Sequence, residues 1–250
     1  MSIQVIPLKV DREVAPGDRL EQVIADALEL GSIPLLQGDV IVVAQKIVSK
    51  CESRVVRLSD VKVSARARRT AKRLSKDPAI TELILQEASE VVAASRGIII
   101  TQTHHGFVCA NSGVDQSNVG QGYAVLLPRD SDESAHKLRL ALESRFGVNV
   151  AVIISDTFGR AFRMGQTNVA IGASGIEPIK SYIGSKDTFG NTLRVTEIAV
   201  ADELAAAAEL VMGKSIGVPA AIVRGYSHER SLARGSAKKL SRPKAEDLFR

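Results

Sequence analysis

The chain has 250 residues, 45% of them hydrophobic, with a formal net charge of +5; that length suits one large domain or two small ones and buries about three quarters of the unfolded surface. Aromatic residues make up only 4% with no tryptophan, which removes the stacking platforms of single-strand nucleic-acid binders, and two cysteines, Cys51 and Cys109, are too few for a secreted disulfide scaffold. The longest apolar runs are strand-length, far short of the roughly 20 residues that span a bilayer, and the N-terminal MSIQVIPLKVDREV lacks the charged-then-apolar layout of a signal peptide.

A soluble, cytoplasmic protein with reduced thiols is therefore expected. The basic excess suits anionic small substrates as well as nucleic acid. Much of it sits in two clusters: Lys62, Arg66, Arg68, Arg69, Lys72, Arg73 and Lys76, then Arg230, Arg234, Lys238, Lys239, Arg242 and Lys244.

In chain order, Ile3 to Val10 reads as a first strand, and Pro16-Gly17-Asp18 as a turn and helix cap. Leu20, Val23, Ile24, Ala27 and Leu28 recur at helical spacing up to a stop at Gly31. Gln37-Gly38-Asp39 turns the chain into a buried strand, Val40 to Ala44, which runs on into Gln45 through Lys50; a lysine just past such a strand can reach a bound phosphate. Ser64 to Leu74 is a basic helix best read as a solvated face. Asp77-Pro78 caps a second helix up to Ala88.

Gly97–Thr103 and Gly106–Ala110 read as two strands joined by His104-His105, adjacent histidines that point apart on extended backbone and so are no paired metal site. The loop Asn111-Ser-Gly-Val-Asp115-Gln-Ser-Asn118 is dense in oxygen- and amide-bearing side chains, as either an Asx-bonded turn or a ligand shell would be. A strand from Tyr123 to Leu127 and a helix from Ser131 to about Arg145, stopped by Gly147, lead to the most informative stretch.

That stretch is VNVAVIISDTFGRAFRMGQTNVAIGASG, residues 148–175. Its aliphatic run to Ile154 is what a strand buried on both faces looks like, and Ser155-Asp156-Thr157 at its end offers hard oxygen ligands for a divalent cation. Arg160 and Arg163 add fixed positive charge, a combination suited to a phosphorylated substrate. The glycines from Gly165 to Gly175 permit close approach of backbone to a ligand or mark bends. A helix from Thr196 to Met212, a last strand from Val218 to Arg224 and a loosely held basic tail complete the chain.

Common nucleotide fingerprints are missing. Gly213-Lys214-Ser215 looks like the end of a P-loop, but the motif's first glycine would fall on Ala208, within a helix instead of after a strand. Gly120 and Gly122 are followed by Val125 where a dinucleotide motif needs its third glycine.

Taken together, Val48-Ser-Lys-Cys-Glu-Ser-Arg54, Gly113-Val-Asp-Gln-Ser-Asn-Val119, Ser155-Asp-Thr-Phe-Gly-Arg160 with Phe162-Arg163, and Ala170-Ile-Gly-Ala-Ser-Gly-Ile176 resemble the coenzyme F420-0:L-glutamate ligase family in its free-standing form. The likeness runs in the same order along nearly the whole chain. It implies an α+β fold of two intertwined lobes with mixed, largely antiparallel sheets, not a Rossmann sheet. Residues 1–250 would form one unit, its lobes built from discontinuous segments and its 226–250 tail polar and basic.

The resemblance also implies GTP-dependent amide formation between L-glutamate and coenzyme F420-0 through an acyl phosphate, by a homodimer. It places Mg²⁺ or Mn²⁺ on Asp115, Asp156 and Thr157, with K⁺ a further candidate, and nucleotide contacts on Lys50 and Asn118. Gln45 stands where a hydroxyl residue is common, and Met212 to Val218, with Gly213, Ser215 and Gly217, aligns with another nucleotide-contacting loop. Asp11-Arg12-Glu13-Val14 replaces an apolar contact. Arg160 and Arg163 are assigned to the precursor's phosphate or carboxylate. Two rival readings remain: a metal-dependent phosphohydrolase on the same Asp115 and Asp156, and a nucleic-acid-binding module using the basic helix.

Overall fold

A computed structural model describes residues 2–231 and 237–249. In chain order its elements are β1 (Gln4–Leu8), α1 (Leu20–Leu30), β2 (Val40–Ala44), α2 (Gln45–Cys51), β3 (Val55–Arg57), α3 (Ala65–Leu74), α4 (Pro78–Glu87), β4 (Ala88–Ser95), β5 (Ile98–Thr103), β6 (Val108–Ala110), β7 (Tyr123–Val125), α5 (Ser131–Phe146), β8 (Ala151–Arg160), β9 (Arg163–Ser174), β10 (Lys180–Ser181), β11 (Glu197–Ile198), α6 (Val200–Met212) and β12 (Ala220–Arg224). The fold is α+β. Its main sheet has the order β1-β12-β2-β8-β9, and among the described strands only β2 and β8 run parallel.

The continuous apolar runs are explained by burial on both faces. In β2, Ile41 and Val43 join one core with α1 and α5, while Val40 and Val42 join a second with α6. β8 and β12 divide the same way: Val152, Ile154 and Ile222 go to the first core, Ala151, Ile153 and Val223 to the second. Each such valine or isoleucine contributes about 1.5–3 kcal/mol by leaving water. Gly172 of β9 allows the start of α5 to lie against the sheet, since a Cβ there would stand 2.3 Å from the Ser131 carbonyl oxygen.

A third core gathers Leu74, Ile80, Leu83, Ile84, Ile99 and Leu126, between α3, α4 and the small sheets β3-β7 and β4-β5-β6. These residues fall between α2 and α5 in sequence, so the surrounding layers are built from discontinuous segments. The basic helix is a solvated face: α3 buries Ala67, Ala71 and Leu74 and leaves Arg66, Arg68, Arg69, Lys72 and Arg73 exposed.

Several expectations need correction. Asp156 is not at the end of a strand: β8 continues to Arg160 and turns into β9, forming a long hairpin, so the glycine-rich passage from Gly165 to Gly175 is largely an edge strand instead of a series of bends. A register shift between Ile154 and Ser155 in this ladder marks a bulge beside Asp156. Ala88–Ser95, contiguous with α4, is a strand, and the helix expected from Thr196 starts at Val200 because Glu197–Ile198 pairs with Lys180–Ser181. Asp18 does not cap α1; it accepts from Ala15 N and Arg12 instead.

The described part of the basic tail is fastened, contrary to expectation. Ala237 is fully buried and donates its N–H to Asp132 Oδ1 (3.1 Å), Lys239 pairs with Glu177 (2.7 Å) and Lys244 with Glu90 (2.7 Å). Arg234 of the second basic cluster lies outside the described residues.

Candidate functional site

Parallel pairing aligns Ala44 with Ser155, so the residues that follow, Gln45 and Lys46 on one side and Asp156 and Thr157 on the other, emerge side by side at one end of the main sheet. They floor a cleft of about 750 Å³. Its opposite wall carries Asp115, held by a tight turn in which Asn111, Ser112 and Gly113 all have positive φ. The turn is pinned from inside the third core. Ser112 Oγ donates to Ile84 O (2.8 Å) and hydrogen-bonds Thr101 Oγ1 (2.8 Å), which offsets the cost of that backbone.

Asp115 and Asp156, 41 positions apart in sequence, thus face one space. Asp115 Oδ2 pairs with Lys46 Nζ (2.8 Å), and its carboxylate accepts from Ser117 N (2.8 Å) and Ser117 Oγ (2.9 Å). Burial works to raise the Asp115 pKa, but the Lys46 and Ser117 hydrogen bonds and the Lys46 charge outweigh it, and the carboxyl lies below its ordinary value. Asp156 is the opposite case. Burial pushes it up to about 6, aided by the Asp115 charge and opposed by the Thr157 N–H, Lys46 and Lys214.

Thr157 Oγ1 donates to Asn168 Oδ1 (2.8 Å) and accepts from Lys214 Nζ (2.8 Å). Lys214 belongs to a turn after α6 in which Gly213 and Gly217 both have positive φ, and its carbonyl accepts from Asn118 Nδ2 (3.2 Å). Lys50 pairs with Glu13 (3.2 Å). Gln45 is 2% exposed; its Oε1 accepts from Ser49 while its Nε2 has no partner among the described residues, a buried donor on the cleft wall.

The structure therefore gathers Gln45, Lys50, Asp115, Asn118, Asp156, Thr157, Gly213, Ser215 and Gly217 around one cleft. Arg160 and Arg163 are not brought there. They flank the exposed hairpin tip, where Arg160 bonds the Met164 and Gly165 carbonyls, because β8 carries on past the cleft as an extended strand. Sequence reasoning missed the roles of Lys46, Lys214 and Asn168. Lys46 and Lys50 both follow the buried strand, and only the side-chain geometry separates the one facing Asp115 from the one facing Glu13.

Among the described residues, no group of three or more His, Cys, Asp or Glu side chains is placed to hold a metal ion. Two carboxylates and a hydroxyl nonetheless fit a hard cation that takes its remaining ligands from water and phosphate, as Mg²⁺ and Mn²⁺ do. The raised pKa of Asp156 is the pertinent sign: a carboxyl buried at such a cost gains from a neighbouring cation.

Residues 10–225 match the model of the F420-0:gamma-glutamyl ligase family. The chain is 46% identical to a coenzyme F420:L-glutamate ligase of Methanothermobacter thermautotrophicus, with both chains covered in full. It is 42% identical to that of Methanopyrus kandleri, over 100% of this chain and 98% of the other. Against the enzyme of the same name from Methanocaldococcus jannaschii the identity is 45%, over 88% of each chain. With its residues 10–225 matched by the family model and relatives of this identity covered along nearly their whole length, the chain belongs to the F420-0:gamma-glutamyl ligase family.

Proposed function

We propose that the protein joins L-glutamate to the carboxylate of coenzyme F420-0, in a reaction driven by GTP and assisted by Mg²⁺ or Mn²⁺. The observation that carries this reading is the meeting of Asp115 and Asp156, from distant segments, beside two lysines and a glycine turn. In the first step a precursor carboxylate oxygen attacks the γ-phosphorus of GTP; an acyl phosphate forms and GDP leaves. In the second, the glutamate nitrogen attacks the acyl carbon, phosphate departs with the carbon–oxygen electron pair, and the nitrogen loses a proton to give the amide.

A cation on Asp115, Asp156 and Thr157 would neutralise phosphate charge and so lower the repulsion between two anions. It would take over the Asp115 oxygen that Lys46 now holds, leaving Lys46 for a phosphoryl oxygen. Lys214, beside Thr157, adds a second positive charge at the same end. Lys50, Asn118, Gly213, Ser215 and Gly217 would hold the nucleotide, with the Gln45 Nε2 donating to it.

Arg160 and Arg163, outside the cleft, are proposed to attract the precursor's phosphate or carboxylate from the hairpin tip. Phe162 and Met164 on the same tip are 87% and 94% exposed, apolar surface that a second copy in a homodimer would cover. Light scattering after gel filtration tests that assembly.

The deciding experiment incubates the protein with GTP, Mn²⁺ or Mg²⁺, L-glutamate and F420-0, with and without KCl, and weighs the product. A gain of one glutamyl residue together with GDP is expected. GTP hydrolysis at the same rate without glutamate and F420-0 would instead identify a phosphohydrolase.

A further inference from the structure

A second cavity, of about 250 Å³, adjoins the cleft. Phe158 lines both, and Val169, another of its walls, is the cross-strand partner of Asp156 on the same face of the β8–β9 ladder. Phe107, packed edge-to-face on Phe158 at 6.3 Å, joins Val108, Ala170 and Leu240 in the apolar lining. The volume corresponds to about eight water molecules of liquid, which is room for an amino acid but not for a nucleotide.

Its charged groups are one guanidinium and two carboxylates. Arg242, on the C-terminal segment, is exposed and makes no hydrogen bond or ion pair among the described residues. Asp202, at the start of α6, spends one oxygen on Ala170 N (2.8 Å) and has no partner among the described residues for the other. Burial raises its pKa against that hydrogen bond, as expected of a carboxylate lacking a counter-charge. Asp247 also lines the cavity and accepts from Phe249 N.

We propose that this cavity binds the amino-acid co-substrate, with Arg242 taking a carboxylate, Asp202 the amino group, and Phe158 forming the partition past which the nitrogen reaches the cleft. On the ligase reading, on which this rests, that amino acid is L-glutamate. The ammonium and one carboxylate of the amino acid meet opposite charges, a half-buried carboxylate within and a fixed guanidinium at the open side, while the second carboxylate of L-glutamate would stay in solvent at the rim, away from Asp247. The fastened C-terminal segment thereby gains a purpose, since the Lys239–Glu177 and Lys244–Glu90 pairs lie on either side of Arg242 and hold it at the rim.

The test titrates L-glutamate calorimetrically into the full chain with GDP and Mg²⁺ present, and measures KM for glutamate and for GTP separately. Arg242→Gln, an exposed change, should weaken glutamate binding and raise its KM on the order of tenfold or more, the usual loss for a charge-assisted contact, with GDP affinity and KM for GTP within twofold of the parent. Val108→Trp, which intrudes on the cavity from β6, should do the same, and Arg242→Lys should recover part of the affinity. Glutamate binding unchanged in both Arg242→Gln and Val108→Trp would overturn the assignment, as would a loss of GDP and glutamate affinity in equal measure. A parent protein that binds glutamate but forms no amide would refute the ligase reading and leave the cavity assignment standing.

Discussion

Replacing Asp156 with Asn should abolish turnover and yet stabilise the metal-free protein. The folded carboxyl titrates at about 6 against an ordinary 3.8, raised chiefly by burial. A raised acid favours the folded state only while it stays protonated: the contribution is full below pH 3.8, declines as the unfolded chain ionises first, and is lost once the pH passes 6. At pH 7.5 the ionised group thus works against folding, by about 3 kcal/mol at most if 1.36 kcal/mol accompanies each pH unit; water at the cleft mouth reduces this to about 1–2 kcal/mol.

Asn carries no charge to bury. Urea unfolding in EDTA should show Asp156→Asn more stable than the parent by about 1–2 kcal/mol at pH 7.5, with the gap narrowing to about a third of that at pH 4.5. Millimolar Mn²⁺ should then reverse the order, because only the parent binds it and is stabilised by linkage. A variant less stable than the parent at pH 7.5 in EDTA would refute the reasoning, since it would mean that the carboxylate is held by protein partners.

Three further outcomes follow from packing and charge. Burial, with the Asp156 charge, pushes the Cys109 thiol up to about 12, and burial pushes Cys51 up to about 11; at pH 8 iodoacetamide should therefore leave both unlabelled in the native protein and label both in urea, as read by mass spectrometry. Gly172→Ala should cost about 1–3 kcal/mol in urea unfolding, because a Cβ there overlaps the Ser131 carbonyl and α5 has to move. Arg224→Met should cost about 3–5 kcal/mol by the same assay, since it strands the 1%-exposed Asp39 that Arg224 holds through Nε (2.9 Å) and a second nitrogen (2.7 Å).

The central strands and the main helices were legible in the sequence because their burial is all or nothing. β2 and the first half of β8 are apolar on both faces, and α1 repeats its buried residues at helical spacing. β9 was not legible: its first four residues are exposed, and the glycine its inner half needs against α5 reads locally as a bend. Alanine-rich β4 was missed for a related reason, as its identity is fixed by pairing with β5 through two register shifts and not by its composition. At the site, each of Asp115 and Asp156 could be read alone as a turn residue; only the family likeness suggested that they belong together. Their contact depends on the parallel register of β2 with β8 and on the pinned Asn111–Gly113 turn, neither of which has a spacing signature.

The order of strands in the main sheet also governs when the site can exist. Among the described strands β1 pairs only with β12, and β2 lies between β12 and β8, so neighbours in the sheet are separated by more than one hundred residues of chain at three of its four ladders. Contacts that distant form slowly, because loop closure must precede the reward of pairing. During synthesis the sheet stays incomplete until residue 224 has emerged, and Gln45 and Lys46 just past β2, with Asp156 and Thr157 within β8, are left without their final frame until then. Refolding should accordingly recover the helices well before it recovers any nucleotide-dependent signal.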